Sequence, residues 1–142
     1  MICWCGDQGD DFIIKVGSYE AAGGIAYEIE KVLQPGGYMH GHCGCNMELI
    51  VLEKNITFND PENPSAIIDI SGERPFEGQE CIAAGFGAID TAGTPSQILL
   101  QSQMTSLSDS GCVKEEDQLC FVSEIQSFAG GDSGAGYIYN GI

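Results

Sequence analysis

The chain has little positive charge: five lysines and arginines stand against 21 acidic residues in 142, for a formal net charge of -16. Such a potential repels phosphate backbones, which excludes ordinary nucleic-acid binding. No apolar run approaches the roughly 18 residues that a membrane-crossing helix needs, so no membrane partner is expected. Met1-Ile2-Cys3-Trp4 has neither a basic region nor a long apolar core, and no signal peptide is read there. Histidine is scarce, with His40 and His42 alone, and Trp4 is the only tryptophan. Nowhere does a convincing helical stripe of about ten residues occur, which argues against a helical bundle.

Glycine and cysteine are abundant instead. Twenty glycines indicate a turn-rich all-β chain. Seven cysteines indicate an oxidising compartment, and the odd number leaves at least one unpaired. Asn55-Ile56-Thr57 is a glycosylation sequon and fits export. The acidic balance reads as a solvated surface that keeps a secreted protein soluble.

Short apolar stretches alternate with turn signals. Phe12 to Val16 is followed by Gly17-Ser18. From Ala26 to Leu33, period-two alternation places Tyr27, Ile29 and Leu33 on one face and Glu28 and Glu30 on the other. Glu48 to Leu52, Glu80 to Gly85, Ile98 to Met104, Leu119 to Ser123 and Gly136 to Tyr139 are the remaining expected strands. Three prolines mark Asp60 to Pro75 as a long connection. Strands at this spacing suggest a barrel or sandwich.

Gly131-Asp132-Ser133-Gly134 is the most informative string. It is not the nucleophile elbow of α/β-hydrolases, because Ala135 stands where that motif needs glycine. Its surroundings recur in order along the chain. Lys15-Val16-Gly17-Ser18, Tyr27 to Tyr38, Asn46 to Leu52, Ile56 to Asp60, Cys81 to Gly87 with Gly85-Phe86-Gly87, Thr94 to Gln101, and Ser108 to Cys112 join it. Together these segments resemble the chymotrypsin/trypsin family of serine proteases over nearly the whole length. The resemblance implies a trypsin-like double antiparallel β-barrel, here incomplete, with the later part of barrel one and the earlier part of barrel two. On that reading residues 1–60 belong to barrel one, 61–78 connect, and 79–142 belong to barrel two.

What the resemblance implies for chemistry is uneven. Ser133 matches the nucleophile, and the amides of Gly131 and Ser133 match the oxyanion donors. Asp132 matches the residue that supports the oxyanion hole by pairing with a freed N-terminal amine, though no Ile-Val-Gly-Gly start is present. If Ile2-Cys3-Trp4-Cys5 corresponds to the family's Ala-Ala-His-Cys, Trp4 takes the place of the catalytic histidine. If Asn46-Met47-Glu48 corresponds to Asn-Asp-Ile, Met47 takes the place of the aspartate. An indole cannot accept the serine proton, and losing a triad member costs on the order of 10⁴ to 10⁶ in turnover. Glu48 is a poor substitute acid, since successive strand side chains face opposite ways.

The specificity-pocket floor matches Ser127, leaving no counter-charge for a basic side chain. Cys112 and Cys120 match a family disulfide. Cys81 finds Tyr139 where its partner should be, Ala129 replaces another family cysteine, and Cys3, Cys5, Cys43 and Cys45 have no assigned pairing. His40, His42, Cys43 and Cys45 are all competent zinc ligands, but their spacing is too tight, with no second separated pair. No metal and no cofactor is therefore expected. The expected function is a serine protease homologue, secreted and without catalysis, that binds a protein or peptide in the former substrate cleft. The alternatives are an active endopeptidase seen as an incomplete chain, and a secreted metal-binding module. Exposed strand edges would favour association with another chain.

Overall fold

The computed structural model describes residues 12–34, 48–61, 64–108, 111 and 118–139. Trp4, Met47, Cys112 and the four candidate zinc ligands lie outside them. The chain divides into two compact units, Met1–Ile67 and Ile68–Ile142. The described residues form strands, turns and loops without an α-helix, and none of their segments is a helix long and apolar enough to cross a membrane.

The first unit holds an antiparallel sheet of order β1-β2-β3, with β1 Ile13–Val16, β2 Ile25–Leu33 and β3 Leu49–Leu52. Ile14 pairs with Tyr27 and Val16 with Ile25, so these two apolar residues of β1 fall on the face of the buried Tyr27, while the exposed Ile13 faces the other way opposite Glu28. Gly24, at φ 83°, makes the turn into β2, where a side chain would press on the Val16 carbonyl.

The expected alternation along β2 holds only as far as Ile29. A β-bulge between Ile29 and Lys31 inserts one residue: Ile29 pairs with Leu52, while Val32 pairs with Ile50 and Leu33 with Leu49. Leu52 and Ile50 share a face, so Val32 takes the place that period two assigns to Leu33. Leu33 is turned to the other face, and both Val32 and Leu33 are exposed. A one-residue insertion moves every later side chain to the opposite face.

The second unit is an antiparallel sheet of order β6-β5-β4-β7, built from β4 Glu80–Gly85, β5 Leu100–Ser106, β6 Phe121–Val122 and β7 Tyr137–Ile138. Strand β5 begins two residues later than expected and runs two further. Its entry is held by Ser96, whose buried hydroxyl donates to the Ile98 carbonyl at 2.6 Å. Between β4 and β5, the carboxylate of Asp90 accepts the amides of Ala92 at 2.9 Å and Thr94 at 3.0 Å, closing the turn at Gly93.

The core lies on one face of this sheet. Cys81, Ala83 and Met104 are buried there, with Phe121 and Tyr139 packed against them. Register explains the set: Cys81 lies opposite Met104, Ala83 opposite both Ser102 and Tyr137, and Ser106 opposite Phe121. Ser106 is buried too. Its hydroxyl contacts the Phe76 carbonyl at 2.5 Å and accepts the Gln79 amide at 3.0 Å, which ties the incoming chain to β5.

Candidate active site

Ser133 sits on two consecutive tight turns. The amide of Asp132 donates to the Ala129 carbonyl at 3.1 Å, and that of Ala135 donates to the Asp132 carbonyl at 3.1 Å. The third position of each turn has positive φ, 96° at Gly131 and 92° at Gly134, as a type II turn requires. Glycine at both places is therefore a demand of the backbone, and Ser133, one residue into the second turn, is left exposed.

Asp132 anchors the loop. One carboxylate oxygen accepts the Gly87 amide at 2.8 Å and the other accepts the Ala129 amide at 3.1 Å. A second tie runs from the Ala88 amide to the Gly130 carbonyl at 2.8 Å. The carboxylate occupies the space that a Cβ at Gly85 or Gly87 would fill. This explains Gly85-Phe86-Gly87 physically: the two glycines, directed to one side of the chain, open the volume Asp132 needs.

The serine hydroxyl and the amides of Gly131 and Ser133 have no hydrogen-bond partner among the described residues. A shallow depression of about 250 Å³ opens beside them, with Phe128 and Tyr137 in its wall. The Tyr137 ring stacks on Phe121, with centroids 3.8 Å apart and planes 11° from parallel. Phe128 meets it edge-on at 5.8 Å. Desolvation raises the Tyr137 phenol above its ordinary pKa, and the thiol of Cys81 reinforces the shift.

Ser127 is placed differently from Ser133. It lines a second cavity of about 350 Å³ together with Asp132, Gly85, Gly87 and Ser102, and does not line the depression at the serine. Its hydroxyl donates to the Phe128 carbonyl at 3.1 Å. Glu48 accepts a hydrogen bond from the side-chain amide of Gln34 at 2.6 Å. Among the described residues no group of three or more potential ligands could hold a metal ion. Cys81 is a free, buried thiol 3.5 Å from the Met104 carbonyl. Tyr139, which the family resemblance sets where a partner cysteine would stand, packs on its cluster and hydrogen-bonds Ser71 at 2.8 Å. Cys120 is disulfide-bonded, to a partner outside the described residues.

Sequence reasoning did not find the pairing of Asp132 with Gly87 or the aromatic group at Phe121, Phe128 and Tyr137. The Gly-x-Gly spacing was a signal for the first. The second has none, because the three rings come from a strand, a loop and another strand.

An all-β chain of two antiparallel sheets, with a Gly-Asp-Ser-Gly double turn pinned through its aspartate, has the fold of a trypsin-like serine protease. The Trypsin family model matches residues 5–142, and the chain belongs to that family. No curated protein matches it in sequence. Among solved structures it is similar to mouse neuropsin, a serine protease expressed in the limbic system of the brain. There the TM-score is 0.84 at 18% identity, over 99% of this chain and 67% of that one. A mutant of human heparin binding protein gives 0.75 at 16% identity, over 89% of this chain and 59% of that one. Human heparin binding protein itself gives 0.70 at 16%, over 83% and 52%. At these identities the likeness is one of fold. This chain spans between about half and two thirds of those structures.

Proposed function

We propose that this chain is a non-catalytic serine protease homologue that binds a protein or peptide through the surface around Ser133. The observation that carries the reading is the contrast between a well-built nucleophile turn and the residues aligned with its missing base. Hydrolysis of an amide needs a group to take the hydroxyl proton, because serine alone is a poor nucleophile near neutral pH. If Ile2-Cys3-Trp4-Cys5 and Asn46-Met47-Glu48 follow the family pattern, Trp4 takes the histidine position and Met47 the aspartate position. Neither side chain can accept or orient a proton. The exposed Ser133 turn and the aromatic wall beside it would then serve as a recognition surface. Export from the cell is part of this reading, supported by seven cysteines and by the oxidised state of Cys120.

The intact double turn favours a second reading, an active endopeptidase whose histidine is supplied by a segment outside this sequence. A fluorophosphonate probe separates the two. The homologue leaves Ser133 unlabelled while a Ser133→Ala variant keeps its ligand; labelling abolished by Ser133→Ala establishes the active reading.

A further inference from the structure

Strand β3 ends at Leu52, and the Glu53 amide closes its ladder on the Glu28 carbonyl at 3.0 Å. The next backbone tie is the Asn59 amide to the Ser65 carbonyl at 3.2 Å. Between them residues 55–58 belong to no strand or turn. Asn55 is exposed, its side-chain amide has no partner among the described residues, and Ile56 beside it is half-buried. Thr57, two residues on, is exposed as well.

We infer that Asn55 is an N-glycosylation site. The inference rests on the reading of export. Transfer requires asparagine, any residue but proline, then threonine or serine, in a segment that the transferase can surround. Asn63-Pro64-Ser65 fails on its proline, and Asn46, Asn59 and Asn140 are not followed by a hydroxyl residue at the second place. The sequence therefore holds one sequon, and the fold puts it on an exposed irregular segment rather than inside a strand. Surface segments of this kind accept additions without breaking a ladder.

The donor is an oligosaccharide on a lipid pyrophosphate. The Asn55 amide nitrogen bonds to the anomeric carbon as the bond from that carbon to the phosphate oxygen breaks. The amide proton passes to a base of the transferase, and the lipid pyrophosphate leaves.

The full chain, directed into the endoplasmic reticulum of a eukaryotic cell, tests this by intact mass before and after peptide-N-glycosidase F. A glycan that the glycosidase removes is expected, with conversion of the Asn55 side-chain amide to a carboxyl. Asn55→Gln and Thr57→Ala should abolish it, and Thr57→Ser should retain it. A chain recovered with Cys120 oxidised and Asn55 unmodified overturns the inference while leaving export intact. Native material found reduced in the cytosol overturns export instead, whatever the directed chain shows.

Discussion

The carboxylate of Asp132 accepts the backbone amide of Gly87 at 2.8 Å across 45 residues of sequence. This contact makes two motifs interdependent, the Gly-x-Gly at the end of β4 and the turn that presents Ser133. An acceptor with two backbone donors resists removal, since it leaves behind the amides of buried Gly87 and half-buried Ala129.

Gly87→Ala should therefore disturb the loop of Ser133 although the two residues are far apart in sequence. The added Cβ would meet the Asp132 carboxyl. Overpacking of this kind costs about 1–3 kcal/mol. Asp132→Ala, which strands the amides of Gly87 and Ala129, should cost a similar amount, about 1–3 kcal/mol. Denaturant unfolding monitored by far-UV circular dichroism measures both. Values within experimental error of the parent protein would show that the contact does not hold the loop.

Cys81 should be slow to alkylate. Burial raises its thiol above the ordinary value of 9.0, because the thiolate would lie against Ala83 and Met104 without solvent. The rate with iodoacetamide in the folded protein should climb only at a pH above that of the same chain in guanidinium. The sign for stability follows from the raised pKa. The contribution is fully present below the unfolded thiol value and is lost as the pH rises past it toward the folded value. A folded-state titration at or below the unfolded one would show Cys81 to be solvated.

Peptide mapping under non-reducing conditions should recover Cys120 joined to Cys112, the residue its family pattern pairs it with. The loop so closed is short, and its removal by Cys112→Ala should cost about 2–3 kcal/mol on chain-entropy grounds. A link from Cys120 to Cys43, Cys45 or another cysteine would contradict the assignment.

Much of the all-β character was legible in the chain. Glycine-rich turns bounding short apolar runs placed the seven strands of the described residues, and Gly131-Asp132-Ser133-Gly134 marked the segment that folds as a double turn. The bulge after Ile29 was not legible. Period two predicts faces only for an unbroken ladder, and the extra residue is defined by the pairing register with β3, which no local pattern reveals. Likewise the cavity that Ser127 lines with Asp132, Gly85 and Ser102 was not legible, because segments far apart in sequence close it.

By itself the sequence determined which positions could be strands and which must be turns. Those properties are local, resting on backbone freedom at glycine, apolar spacing and the chemistry of single side chains. The tertiary structure decided what Asp132 holds, which rings gather beside Ser133 and where Cys81 and Tyr139 meet. Each depends on bringing distant segments within a few ångströms, and only strand register fixes that.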